Sequence, residues 1–273
     1  MSAEVALLGR VLSLTAQSDC SIHEIGEAVA LSPDLSSQVV KVANSALYGM
    51  AGRVTTLDRA VLILGVDAVA GIASSLVMAD TLRHPPIGSL PSDALWLHSL
   101  EIGVCAELVS RVLGWSVGSQ AYLAGLLHDL GIRALLDVHG AGYAQLLERV
   151  AHDAGDLLAL ERSTFGETHT ERVARQSESW AFPDALCSAL AHHHDPSALR
   201  GTGATLATLV HAAHIIVSQP LGGFGDRCAG DRDDAELLGD LGLADDDIAD
   251  VREVLGERVK EMVAAFGAAL TPD

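Results

Sequence analysis

Along most of the chain apolar residues recur at intervals of three and four, the spacing that gathers them on one face of a helix, and not at alternate positions as in a half-buried strand. Turn pairs such as Asn-Gly or Asp-Gly, which close two-stranded hairpins, are missing. The pattern predicts an all-α fold, a multi-helix bundle. Ser32-Pro33-Asp34 opens one helix with a capping hydroxyl, a proline in the first turn and a carboxylate near the positive end; it runs through Leu35, Val39, Val42 and Ala43 to a stop near Tyr48-Gly49. Thr55 with Asp58 reads as a capping box for the next, with Leu57, Val61, Ile63 and Leu64 offered to the core and Gly65 as its end.

The apolar stretch Ala60 to Ala79 is long enough to span a bilayer, but Gly65 followed by Asp67 divides it into two helices, so no membrane span is expected. After a break at His84-Pro85-Pro86, helical patterns run from Leu95 to Leu113 and from Ala121 to about Leu130, with Gly131 as terminator. Others cover Glu167 to Trp180, Pro183 to His192 and Thr205 to Val217. Gly222-Gly223-Phe224-Gly225 reads as a flexible joint. Beyond it, residues 226–261 hold 13 acidic and five basic side chains, and Val251, Leu255, Val259 and Met262 mark the inner face of an amphipathic helix.

Composition narrows the function classes. The 273 residues are 49% hydrophobic and only 4% aromatic, so aliphatic side chains must fill the core; the formal net charge of −19 opposes DNA and anionic lipid surfaces alike. Cys20, Cys105, Cys187 and Cys228 are widely spaced and form no CxxC pair, which fits free thiols in a reducing cytoplasm. No basic segment followed by an apolar stretch opens the chain, so no secretory signal is expected.

The chemistry concentrates in histidines. In Tyr122-Leu-Ala-Gly-Leu-Leu-His128-Asp129-Leu-Gly131 an imidazole and a carboxylate stand side by side in an apolar helix, where an ionised carboxylate requires a cation, a strong donor or a protonated histidine. His98, His169, the triplet His192-His193-His194, and His211 with His214 also lie in apolar helical contexts, whereas His23, His84, His139 and His152 lie in polar or loop contexts. Taken singly, each of the former is better read as a hydrogen-bonded core histidine. As a set around one aspartate they point to a divalent transition metal, one or two ions of Fe, Mn, Zn, Co or Ni, in preference to Mg or Ca. Asn44, Ser45, Tyr48 and Gly49 have the chemistry of a helix end.

Several of these stretches resemble one known family. Leu31-Ser-Pro-Asp-Leu-Ser-Ser-Gln-Val-Val-Lys-Val-Ala-Asn44-Ser45-Ala-Leu-Tyr48-Gly49, Leu57-Asp-Arg-Ala60 and Leu64-Gly65 look like the N-terminal half of HDOD domains, the HD-related output domains of bacterial signalling proteins. Trp96-Leu-His98-Ser99, Ala121 to Gly131, Glu167-Thr-His169, Trp180-Ala-Phe-Pro183 and His193-His194-Asp-Pro196 look like the second half. The resemblance covers residues 8–217, as an N-terminal helical half (8–83) and an HD-like half (91–217), followed by an acidic helical extension (222–273). It implies an HD-like bundle and, in the HD phosphohydrolase superfamily, a metal site to which His98, His128, Asp129, His169, His193 and His194 correspond, with His214 in place of a late aspartate. On that pattern His98, His128, Asp129 and His214 hold one ion, and Asp129 bridges to a second held by His169, His193 and His194. His192 and His211 are candidates for donors behind the ligands.

The chain departs from the HD-GYP phosphodiesterases, as Ile132 replaces the lysine after the His-Asp pair, and Asp195-Pro196-Ser197 follows His193-His194 where Gly-Tyr-Pro would stand. Arg133 is a weak candidate for phosphate binding. The reading is a cytoplasmic bacterial signalling protein with a His/Asp metal site, acting mainly through protein contacts on its acidic tail and N-terminal helix pair, with no DNA or membrane partner. No receiver, cyclase or kinase pattern is visible, so input arrives through a partner or a small ligand. The alternative is a metal-dependent phosphohydrolase with a nucleotide or cyclic dinucleotide as ligand.

Overall fold

The computed structural model describes residues 3–17, 19–50, 52–82, 93–153, 156–217 and 234–270, and among these the regular structure is helical with no strand. The break at His84-Pro85-Pro86, the joint at Gly222 to Gly225 and Cys228 lie outside the described residues. The first helices are α1 (Ala3–Thr15), α2 (Ile22–Ala30) and α3 (Pro33–Ala43). Ser21 and Glu24 form a capping box on α2, and Ser32 caps α3 by accepting from the Leu35 N–H. α3 stops at Ala43, earlier than Tyr48-Gly49, because Asn44 draws the chain aside. Its amide donates to the Val40 and Val54 carbonyls and accepts from the Val54 N–H, and Gly49 makes a left-handed turn (φ 62°). Ser45, by contrast, buries its hydroxyl without a hydrogen bond to any described residue.

α4 (Leu57–Leu64) begins one residue later than the proposed capping box: Thr56, not Thr55, accepts from the Arg59 N–H. Its inner face is Ala60 and Val61, while Ile63 is turned toward solvent. Gly65 ends it, and α5 (Val66–Leu82) follows at once. α5 packs against α1, α3, α4, α6 and α7, which accounts for a helix that is apolar nearly all round. Among the described residues no helix is long and apolar enough to cross a membrane.

The second half comprises α6 (Ala94–Val112), α7 (Gly118–Leu127), α8 (Leu130–His139), α9 (Ala141–Asp153), α10 (Leu157–Phe165), α11 (His169–Ser177), a 3₁₀ turn (Glu178–Trp180), α12 (Asp184–His192) and α13 (Gly201–Ile216). α6 and α7 meet closely at a pair of glycines: a β-carbon on Gly125 would lie 2.7 Å from the Gly103 Cα. Finally, α14 (Asp234–Asp240) is followed by α15 (Asp245–Leu270), which lies against α6 and α3 with Val251, Leu255, Val259 and Met262 buried in a core continuous with theirs. Arg258 reaches Glu107 of α6 at 2.9 Å, and Arg252 donates to the Ile216 carbonyl at the end of α13 at 3.0 Å. Cys20 and Cys105 are unbridged, and Cys187 donates its thiol to the Phe182 carbonyl at 3.5 Å.

Two helical glycines separate packing from propensity. Gly125→Ala forces α6 and α7 apart and lowers the free energy of urea unfolding by about 1–3 kcal/mol. Gly256→Ala in α15, where a β-carbon meets nothing within 4 Å, raises it by about 0.5–1 kcal/mol.

Candidate metal centre

His128 and Asp129 occupy the joint between two helices. α7 ends at Leu127, and His128 follows as its C-cap, with ring Nδ1 2.6 Å from the Gly125 carbonyl, one of the acceptors a helix end leaves open. Asp129 is the residue before α8, the position at which an aspartate ordinarily caps the helix, yet its side chain makes no capping bond. The carboxylate instead turns inward and is fully buried. Gly131, expected to end the preceding helix, sits in the first turn of α8. Its lack of a side chain allows the α11 backbone to close on it, since a β-carbon there would lie 2.0 Å from the His169 carbonyl oxygen.

That approach delivers His169. Thr168 and Glu171 form a reciprocal cap on α11, the Glu171 carboxylate accepting from the Thr168 N–H at 3.1 Å and the Thr168 hydroxyl from the Glu171 N–H at 3.2 Å. His169 is thus the first helical residue. Its N–H donates to Glu161 at 2.9 Å, and ring Nδ1 lies 3.0 and 3.1 Å from the two oxygens of the same carboxylate. Glu161, on α10, is fully buried and also accepts from the Tyr143 hydroxyl of α9.

The joint after α12 repeats the device at His128. His193 is a C-cap, its Nδ1 2.9 Å from the Leu190 carbonyl, and His194 follows with Nε2 3.1 Å from Nε2 of His169. His211 of α13 places Nδ1 3.0 Å from the His193 carbonyl, and His214 lies one turn further. The His214 ring centroid is 5.2 Å from His98 of α6 and 4.7 Å from His128. Around Asp129 the Nε2 atoms of His128, His98, His169 and His193 lie at 3.0, 3.6, 3.6 and 4.0 Å.

The donor atoms fall into three overlapping groups: His98, His128 and His214; His169, His193 and His194; and His128, Asp129 and His193. Within each group they lie within 4.8 Å of one another. The rings of His128, His169 and His193 all direct Nδ1 at an oxygen that only accepts, so Nδ1 carries the proton and Nε2 presents a lone pair to the centre. Nε2 of His169 then faces Nε2 of His193 at 3.5 Å, an arrangement two neutral rings cannot satisfy by hydrogen bonding to each other. Burial holds the His193 pKa well below its ordinary value and keeps that ring neutral, and a proton taken up by His194, His128, His169 or His214 would lower it further by repulsion. Both Asp129 oxygens and His128 Nε2 are buried without a normal hydrogen bond to any described residue. A cation between these lone pairs and the carboxylate satisfies all of them, and a mainly imidazole donor set fits a transition metal.

All seven residues matched to metal ligands therefore converge. Of the two histidines expected behind them, His211 touches the cluster through the His193 carbonyl, but His192 does not. It is exposed, with Nδ1 3.0 Å from the Ser188 carbonyl of its own helix, because the chain leaves the helix after it and only the next two side chains turn inward. Arg133 lies in the first half of α8, not past a helix end, and pairs with Asp137 one turn along, a use that competes with phosphate binding. The sequence reading did not find Glu161 or Tyr143. The available signal was a glutamate four residues after Leu157, on the apolar face of a short helix.

The family model described as HDOD domain matches residues 4–196. A candidate signal transduction protein from Marinobacter aquaeolei VT8 has a TM-score of 0.76 at 24% identity, over 97% of this chain and 59% of its own. A candidate phosphohydrolase from Shewanella amazonensis SB2B has a TM-score of 0.68 at 20% identity, over 97% and 93%. At these identities the likeness is one of fold. A curated relative from Treponema pallidum (strain Nichols), itself uncharacterised, is 21% identical over 178 residues or 65% of this chain, which spans about a third of that relative's length (34%). With 4–196 matched, and a helical fold shared with these structures, the chain belongs to the HDOD domain family.

Proposed function

We propose that the protein is a bacterial, cytoplasmic signal-transduction output domain that acts through protein contacts, and that its His/Asp cluster is a metal centre with a structural role. The observation that carries this reading is the closure of the cluster. His98, His128, Asp129, His169 and His193 are each at most 1% exposed, so solvent does not reach the middle of the donor set. His98, His128, Asp129 and His214 would hold one ion and His169, His193 and His194 a second, with Asp129 between. Such a centre ties together the ends of α7, α11, α12 and α13, which the chain brings from four separate stretches. Protein contacts are supported by apolar side chains left outside, Leu31 at the end of α2 and Leu62 on α4, which are 62% and 69% exposed.

The second reading, a metal-dependent phosphohydrolase, is favoured by the completeness of the donor set and by the name of the Shewanella amazonensis neighbour. A bound ion supplies charge neutralisation for a phosphoryl group and a lowered pKa for water. For this chain the residues themselves would have to open a path past His194, the half-buried member of the set.

Elemental analysis of untagged protein, purified without added metal, tests the metal centre common to both readings, and a hydrolysis assay of the loaded protein separates them. One or two equivalents of Fe, Mn, Zn, Co or Ni are expected, lost in Asp129→Ala with helical circular dichroism retained. Full stoichiometry in that variant refutes the ligand set, and hydrolysis of a cyclic dinucleotide or nucleotide by the loaded protein, abolished in Asp129→Ala, selects the enzyme. Glu161→Gln, which keeps the shape but not the charge behind His169, weakens metal affinity about 10–100-fold in a chelator competition.

In chelator-treated protein, stability depends on His193 with a definite sign. The unfolded chain takes up a proton on this residue near its ordinary pKa of 6.5, while the folded protein resists until lower pH. The unfolded state therefore binds more protons between these values, and the free energy of unfolding falls as the pH drops below about 6.5. Urea unfolding at pH 7.5 and 5.5 is expected to show this loss, diminished in His193→Gln. Equal dependence in that variant assigns the effect elsewhere.

A further inference from the structure

A cavity of about 270 Å³ lies away from the histidines, between α1, α5, α7, α12 and α13. Its floor is apolar and buried: Leu12, Ala70, Leu123 and Leu206 are all 8% exposed or less. Its rim is polar and open to solvent, with Asp67, Ser119, Gln120 and Thr202 all exposed. A small apolar body over such a floor, with its polar end at the rim, is the ordinary division of a small-molecule site. The volume is below that of a drug-sized pocket, which sets the scale of the ligand.

The charges decide what the polar end carries. Among the described residues no lysine, arginine or histidine lines the cavity, and Asp67 at the rim disfavours an anion. A cation is disfavoured in turn. The first turns of α7, α12 and α13 meet at this cavity; none of the three has a side-chain cap, and only α12 carries an acidic residue, Asp184, in its first turn, so the positive ends of α7 and α13 are not offset from their own helices. The remaining class is neutral, with an acceptor for the N–H and hydroxyl groups of Ser119, Gln120 and Thr202 and a donor for the Asp67 carboxylate. We infer that this cavity is a binding site for a small neutral amphiphile, an apolar chain or ring bearing an amide-like head that both donates and accepts.

Its position gives the site a consequence. Ser119, Ala185 and Thr202 stand at the beginnings of the helices that lead to His128, to His193 and His194, and to His211 and His214 respectively. From Ser119 to His128 the span along α7 is only about 13 Å at 1.5 Å per residue. A ligand seated there touches three of the helices whose far ends form the histidine cluster. Binding itself does not depend on the metal reading.

The probe is N-phenyl-1-naphthylamine, a neutral apolar body whose one N–H tests the floor and the donor half of the head without an amide acceptor; it is titrated into the full chain and followed by its fluorescence. Saturable binding of one molecule per chain is expected. Ala16→Trp and Ser119→Trp, both at exposed positions of the rim, should each weaken it by at least about tenfold with circular dichroism unchanged, whereas Leu62→Trp on α4 should not. The anionic analogue 1-anilinonaphthalene-8-sulfonate should bind at least about tenfold more weakly. Unsaturable binding, binding indifferent to whichever plugging variants fold, or equal affinity for the anionic probe overturns the assignment.

Discussion

The carboxylate of Asp129, buried between helices in an apolar bundle, is the constraint around which the second half of the protein is arranged. An ionised carboxylate taken out of water without compensation costs several kcal/mol, a large fraction of the net stability of a domain. Four imidazoles lie within 4.0 Å and supply that compensation only in part, since three of them, His128, His169 and His193, are held in the orientation that offers it a lone pair. The rings cannot simply turn to donate, because His128 and His193 are bound through Nδ1 to the last carbonyls of their helices and His169 to Glu161. The arrangement favours a further positive charge at the centre over reorganisation of the surround.

Helix ends are the means by which a chain of short helices builds this centre. His128 and His193 each follow the last residue of a helix and His169 opens one, where a backbone group lacks an intrahelical partner, and the backbone or its neighbour fixes the ring. Glycines then let the ends meet. Gly131 admits the α11 backbone beside Asp129, and the Gly103–Gly125 contact admits α7 beside α6, bringing His98 to the same place. None of these three glycines makes a left-handed turn; all three are needed for closeness.

These facts explain which features were legible in the sequence. Helices with strong signals, such as Ser32-Pro33 and Gly65, were found within a residue or so because caps and stops are local. The convergence of His98, His128, Asp129, His169, His193, His194 and His214 was legible only through ordered motifs that resemble a family, since spacing along the chain does not reveal which helix ends meet. Gly131 was misread for a related reason: a glycine that ends a helix and one that admits a neighbouring backbone look alike until the neighbour is known. Glu161 escaped because its one local mark, a place one turn after Leu157 on the same face, is slight on a helix of nine residues.

His192 and His193 show how sharply this depends on the helix end. They are adjacent and chemically identical, yet one is exposed and the other has no exposed surface. The last helical residue points where the helix directs it, and the C-cap residue is free to turn inward and bind a carbonyl three residues back. A run of three histidines thus yields one surface side chain and two inner ones without any difference in side-chain chemistry. The same logic limits what a change of metal ligand can do in this fold. A substitution at His193 alters both a ring at the centre and the closure of α12, whereas one at Asp129 removes the central charge from a side chain that caps no helix. Loss of function at the two positions would therefore have different physical origins even where the metal lost is the same.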